Sequence, residues 1–106
     1  MKEVELNKQN FDEFINNPDF TVLVDFYATW CGPCIRMKPL LSKIAEENYN
    51  ILRVGIVNIN SEMELAAYYG VHSVPTFIVF KNGKVFAREV GAQNEARLMQ
   101  LINEGS

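Results

Sequence analysis

Apolar and polar residues follow two different periods along the chain. Five segments have the β-branched, aromatic or alternating pattern that is typical of strands: Val4–Leu6, Val22–Tyr27, Ile51–Ile59, Val74–Phe80 and Lys84–Val90. The first is short and predicts an edge strand. The second is apolar almost throughout, which is typical of a central strand that is buried on both faces.

Four other segments predict helices. They are a short helix that Pro18 ends, a long helix that runs to about Asn48, a helix that ends at Gly70, and an amphipathic helix near the carboxyl terminus. Three of them place apolar residues at helical spacing. These residues are Phe11, Phe14 and Ile15 in the first helix, Met37, Leu40, Leu41 and Ile44 in the second, and Leu98, Leu101 and Ile102 in the last.

Local signals predict how the helices begin and bend. Asn10 with Glu13, and Ser61 with Glu64, resemble capping pairs at helix starts. Pro39 lies inside the long helix, where it removes one backbone donor and predicts a kink.

The order of the predicted elements is β-α-β-α-β-α-β-β-α. The early strands alternate with helices, which predicts parallel pairing, whereas Asn82-Gly83 between the last two strands predicts an antiparallel hairpin. We therefore expect an α/β fold with helices on both faces of a single mixed five-stranded sheet. No linker or repeat divides the sequence, so one domain is expected over residues 1–106.

Composition and charge exclude several classes of function. The chain has 106 residues, 48% apolar and 22% charged, as in globular domains. A net charge of -3 without a basic run disfavours nucleic acid or an anionic membrane as the main partner. No apolar stretch reaches the length of a membrane span, and the first ten residues lack the apolar segment of a secretory signal. We therefore expect a cytoplasmic protein, and its size and charge favour a monomer.

The two cysteines, Cys31 and Cys34, are separated only by Gly32 and Pro33. A disulfide across so few residues restrains little of the unfolded chain, so stability is a poor reason for the pair. The pair lies between the buried strand and the long helix, where unpaired N–H groups and the helix dipole favour a thiolate. Because the thiolate is the nucleophile in disulfide exchange, this position predicts a redox-active pair.

Two other interpretations of the pair are weaker. A structural zinc ion takes four ligands, and His72 is the only further soft candidate in the sequence. Two inert buried thiols are the second alternative, but the glycine and proline between them disfavour a regular buried element.

Five motifs at consistent spacing resemble the thioredoxin family: Val24–Cys34, Met37–Pro39, Gly70–Thr76, Phe80–Gly83 and Gly91. The likeness covers essentially the whole chain, and Gly-Pro between the cysteines is the dipeptide typical of that family. The resemblance implies the thioredoxin fold and a thiol-disulfide reductase that acts on disulfides in protein substrates.

The resemblance also implies how the motif works. Cys31 would attack a substrate disulfide, and Cys34 would resolve the mixed disulfide, with Gly32 and Pro33 forming the turn between them. The pair would cycle between dithiol and disulfide with no bound cofactor or metal. A flavin-dependent thioredoxin reductase that draws on NADPH would restore the dithiol.

Asp25 is the one acid in the predicted central strand. Burial should raise the pKa of its carboxyl, and the resemblance implies that it accepts the proton of Cys34. The alternative is a carboxyl that backbone donors satisfy at a strand end. Many relatives carry a lysine near this acid where this chain has Ile56, so we predict a pKa raised further by the missing cation.

The resemblance implies a cis peptide bond before Pro75, whereas the residues alone equally allow a trans proline that opens an edge strand.

His72 is interpreted as an exposed loop residue near the site. Ile35, at a position where many relatives have lysine, predicts a more apolar rim, and Tyr27 replaces a tryptophan with little expected effect on the chemistry. An apolar docking surface would surround Cys31, formed by Trp30, Ile59, Val74, Pro75, Gly91 and Ala92.

Two rival functions differ from a general reductase. A binding or assembly subunit uses such a fold to dock a partner and needs no redox cycle. A dedicated reductase serves a single enzyme. The intact cysteines disfavour the first rival, and the sequence does not separate the second from a general reductase.

Overall fold

The computed structural model describes residues 2–105 and confirms the predicted order of elements. The elements are β1 (Val4–Glu5), α1 (Phe11–Ile15), β2 (Thr21–Tyr27), α2 (Gly32–Glu47), β3 (Leu52–Asn58), α3 (Met63–Tyr68), β4 (Thr76–Lys81), β5 (Lys84–Val90) and α4 (Glu95–Glu104).

The five strands form one mixed sheet in the order β1-β3-β2-β4-β5, which confirms the predicted architecture. β1 and β2 are parallel to β3, whereas β4 is antiparallel to both β2 and β5. The apolar run of β2 therefore lies at the centre of the sheet. Asp25 is in register with Ile56 of β3 on one side and Phe77 of β4 on the other.

Each face of the sheet carries its own hydrophobic core. α2 and α4 cover one face, and α1 and α3 cover the other, as the alternation of strands and helices predicts. Leu23 packs in the first core, whereas Val22 and Val24 pack in the second. Since side chains alternate along a strand, Asp25 lies on the same face as Leu23, beneath α2.

Both predicted capping pairs are wrong. Asn10 occupies the N-cap of α1 without capping it, and its Oδ1 instead accepts the backbone N–H of Asn7 at 2.8 Å. Ser61 is not the N-cap of α3, and the residue in that position makes no side-chain cap. Glu64 instead forms an ion pair with Lys8 at 3.1 Å. A local bond to Asn7 thus takes up the Asn10 side chain, and a long-range ion pair takes up Glu64.

The ends of four of the five strands differ from the sequence prediction, and two of these differences bear on the site. β4 begins at Thr76 rather than Val74, and β3 ends at Asn58, one residue before Ile59. Both displaced residues lie in loops beside the cysteines. α2 continues on both sides of Pro39, and the kink there stays a prediction.

Candidate active site

The two cysteines lie where the chain leaves β2 and enters α2. Cys31 is the N-cap of α2, with an extended backbone, and Gly32 and Pro33 open the first turn. Proline suits this turn because its missing N–H has no helical acceptor. Cys31 and Cys34 form a disulfide, with their Cα atoms 5.3 Å apart. One turn of helix therefore brings the two sulfurs together.

The surroundings of the Cys31 sulfur favour a negative charge. The backbone N–H of Cys34 donates to Cys31 Sγ at 3.1 Å, at the positive end of the α2 dipole. Cys31 is 5% exposed and Cys34 only 1%. A hydrogen bond and a dipole that stabilise the thiolate at the more accessible sulfur both support Cys31 as the nucleophile.

The loop that follows α3 brings a second segment to the cysteines. The peptide bond between Val74 and Pro75 is cis, as the resemblance implied, and the Val74 carbonyl oxygen lies 3.8 Å from Cys31 Sγ. The backbone N–H of Gly91 donates to the Pro75 carbonyl at 2.7 Å. Thr76 Oγ1 donates to the Ser73 carbonyl at 2.7 Å. These bonds fix the loop against the end of β5, beside the reactive sulfur.

The residues predicted to form the docking surface are in part brought together. Ile59 and Val74 pack against the buried cluster that contains both cysteines. Trp30 is 69% exposed immediately before Cys31, and Ile35 is 52% exposed immediately after Cys34. Ala92 is exposed next to Gly91. Large apolar groups thus stay in contact with solvent beside the disulfide, which is the property of a docking surface.

Asp25 is buried beneath α2 and is 2% exposed. Its burial raises the pKa of the carboxyl to about 7, and the charge of Lys38 partly opposes this increase. The prediction that Asp25 has no cationic neighbour is therefore wrong, although Ile56 itself is apolar. The cation comes from α2, four residues after Cys34, so it lies on the same face of the helix as that cysteine.

The sequence also left three contributors to the site unrecognised. Glu3 and Lys38 line a cavity of about 140 Å³ together with Asp25 and Cys34. Arg88 of β5 donates to the carbonyl oxygens of Tyr69 and Gly70 and so holds the start of the loop that carries Pro75. The helical spacing of Lys38 from Cys34 was a usable signal, whereas the other two contacts join distant parts of the chain. His72, in the same loop, is exposed as expected.

Within residues 2–105, no group of three or more His, Cys, Asp or Glu side chains could hold a metal ion. No helix in that part of the chain is both long and apolar enough to cross a membrane.

Comparisons with known proteins agree with this geometry. The family model described as Thioredoxin matches residues 2–104. The chain belongs to the thioredoxin family. It is 39% identical to the thioredoxin of Buchnera aphidicola subsp. Acyrthosiphon pisum, over 97% of this chain and 95% of the relative. It is 42% identical to the thioredoxin of Chlamydia caviae, over 95% of this chain and 96% of that protein.

A solved structure has the same fold. A mutant thioredoxin from Halobacterium salinarum NRC-1 superposes with a TM-score of 0.89 at 33% identity, over 97% of this chain and 89% of the other. The architecture is thus the thioredoxin fold. With a redox-type Cys31–Cys34 pair at the family position, the protein is a thiol-disulfide oxidoreductase.

Replacing Ile56 by lysine tests the electrostatics of this thioredoxin-family site. Ile56 lines the cavity beside Asp25, so an ammonium group there should lower the pKa of Asp25 from about 7 by about one or more. NMR titration of the Asp25 carboxyl carbon measures the value. Ile51→Lys, which adds the same charge at an exposed position before β3, should leave it unchanged. Equal Asp25 titration in both variants and the parent protein contradicts this account.

Proposed function

We propose that this protein reduces disulfides in protein substrates, with Cys31 as the nucleophile and Cys34 as the resolving cysteine. This proposal rests mainly on the position of Cys31 Sγ. The sulfur caps α2, accepts the N–H of Cys34 and lies within bonding range of Cys34 Sγ. Gly32 and Pro33 form the turn that creates this arrangement. The chemistry is dithiol-disulfide exchange.

The exchange has two steps. The Cys31 thiolate attacks one sulfur of the substrate disulfide, forms a mixed disulfide and expels the other substrate sulfur as a thiolate. Cys34 then loses its proton and attacks Cys31 Sγ, which forms the internal disulfide and expels the second substrate thiolate. The substrate gains two electrons, and the cysteine pair loses two. We assign to Asp25 the acceptance of the Cys34 proton, because both groups line one cavity and burial brings the Asp25 pKa to about 7.

Substrates would dock on the apolar rim around Cys31. The exposed indole of Trp30 and the partly buried Ile59 and Val74 offer contact area beside the sulfur. The Val74 carbonyl, 3.8 Å from Cys31 Sγ, would face an extended substrate segment beside Pro75, and Gly91 with Ala92 would close the far edge. We assign these six residues to substrate binding.

A thioredoxin reductase supplied with NADPH is the proposed partner that restores the dithiol. We further propose that residues 1–106 act as one monomeric domain in the cytoplasm. A dedicated reductase for a single enzyme would use the same site, and only substrate breadth separates it from a general reductase.

The direction of electron flow is tested by equilibrating the Cys31–Cys34 pair with glutathione buffers and quantifying the two forms by mass spectrometry. We expect a potential near that of thioredoxin, the reference case at about -270 mV, and far below that of strong oxidants. The reduced protein should then also couple NADPH oxidation by thioredoxin reductase to reduction of insulin. A potential near that of strong oxidants, about -120 mV, would assign the protein to disulfide formation instead.

A further inference from the structure

A cavity behind the cysteine pair contains a second carboxyl group. This space of about 140 Å³ lies between the sheet and α2 and is lined by Glu3, Asp25, Tyr27, Cys34, Lys38, Leu41 and Ile56. Asp25 enters it from the centre of β2, and Glu3 enters it from the segment before β1. The two acids are far apart in the sequence and meet only because β1 and β2 flank the same strand, β3.

Each of the two carboxyls has one buried oxygen that accepts no hydrogen bond from the described residues. Oδ1 of Asp25 and Oε1 of Glu3 are buried and have no hydrogen-bond partner within residues 2–105. The second oxygen of Glu3, Oε2, accepts from the Ser42 hydroxyl of α2, which fixes the direction of its carboxyl. Buried polar oxygens beside one space are the usual sites of ordered water, and the volume exceeds the roughly 30 Å³ of a single water several times.

Glu3 and Asp25 differ in how deeply each residue is buried, although Oε1 of Glu3 is itself a buried atom. Asp25 is 2% exposed, whereas Glu3 is only partly buried and lies near the edge of the sheet. Asp25 therefore needs an intermediary to exchange a proton with bulk water. The other ionisable groups around the cavity suit this task less well, because Lys38 is a cation and the Tyr27 hydroxyl already donates to the Glu5 carboxylate at 3.1 Å. Burial and Glu5 raise the pKa of Tyr27 to about 12, so it holds its proton at neutral pH.

We propose that Glu3 carries protons between buried Asp25 and solvent through water held in this cavity. The inference rests on the proposed role of Asp25 as proton acceptor. When Cys34 is deprotonated, its proton passes to Asp25, then to the cavity water, and leaves through the carboxyl of Glu3. No electrons move in this relay, and each group returns to its starting state. Glu3 touches no reacting atom and acts only through Asp25.

Glu3→Gln tests the relay, because the amide keeps the size of the side chain but cannot pass on a proton as a carboxyl does. The measurement is the proton-exchange rate of Asp25, obtained from NMR line broadening of its carboxyl carbon near pH 7 in dilute buffer. We expect this rate to fall about tenfold. This is less than the ~10²–10⁴-fold by which a positioned acid–base group accelerates a reaction. Adding imidazole, a small mobile acid–base, should restore the rate. The matched control is Glu46→Gln, which removes the same charge from an exposed position on α2.

Two results would overturn the proposal. One is an exchange rate in Glu3→Gln equal to that of the parent protein, and the other is equal slowing in Glu46→Gln, which would assign the effect to net charge. Glu3→Asp, which shortens the side chain and keeps the acid, provides the same test if the glutamine variant does not fold, and we expect intermediate slowing. Since the NMR measurement uses no substrate, it stays informative if the protein fails to reduce disulfides, a failure that would instead overturn the proposed function.

Discussion

Replacing Cys31 by serine should reduce the rate of protein-disulfide reduction to the uncatalysed background, a loss on the order of 10⁴-fold or more. A hydroxyl at this position is not ionised at neutral pH and does not attack sulfur, although the helix terminus and the Cys34 N–H stay in place. Cys34→Ser should behave differently. Cys31 still attacks, but the mixed disulfide with the substrate is not resolved and accumulates. Stopped reactions separated on non-reducing gels, with mass spectrometry of the adduct, distinguish the two variants.

The matched control for both variants is the reduced parent protein, since it also lacks the internal disulfide. Its thermal stability shows whether a serine variant lost activity through unfolding. A stable adduct in Cys31→Ser but none in Cys34→Ser would reverse the assignment of nucleophile and resolving cysteine. If Cys31→Ser kept substantial activity, the exchange mechanism itself would be wrong.

Asp25→Asn should remove one large pH-dependent contribution to stability and slow the resolving step. The Asp25 carboxyl titrates near 3.8 in the unfolded chain and near a pKa of about 7 in the folded protein. Between these values the folded protein binds a proton that the unfolded chain does not. The contribution of Asp25 to the stability of the parent protein therefore falls as pH rises through this window, and it is constant above and below it.

The asparagine variant lacks this titration. Its stability relative to the parent protein should rise between pH 4 and pH 8 by roughly 4 kcal/mol, at about 1.4 kcal/mol for each pH unit in the window. Urea unfolding of the oxidised proteins at several pH values measures the difference. Asp19→Asn, at an exposed position, should track the parent protein. A constant difference between Asp25→Asn and the parent protein would show that Asp25 does not titrate in this range.

The same variant should slow resolution of the mixed disulfide by about a hundredfold at pH 7, the low end of the effect of a positioned general base. Rapid mixing of the reduced protein with a disulfide substrate separates this step from the first attack. The initial attack by Cys31 should change little, because Cys31 draws its stabilisation from the Cys34 N–H and the end of α2. Equal slowing of both steps would argue against Asp25 as the proton acceptor for Cys34.

Much of the fold follows from local patterns. The apolar run in β2, the helical spacing in α2 and the Asn82-Gly83 turn each reflect a strong physical preference that acts over a few residues. The two capping predictions failed for different reasons. Asn10 Oδ1 bonds locally to the backbone N–H of Asn7, whereas Glu64 pairs with Lys8, which is distant in the sequence.

The sequence by itself determined the reactive pair and its setting. A cysteine at the start of a helix, separated by two residues from a second cysteine, meets the N–H groups and dipole of that helix whatever the rest of the chain does. Tertiary structure decided that the groups around Cys34 share one cavity. Glu3, Asp25 and Lys38 meet around one cavity because strand order and helix packing bring distant segments together, and burial there raises the pKa of Asp25. Burial and charge proximity depend on three-dimensional distance, which the spacing of residues along a chain does not specify.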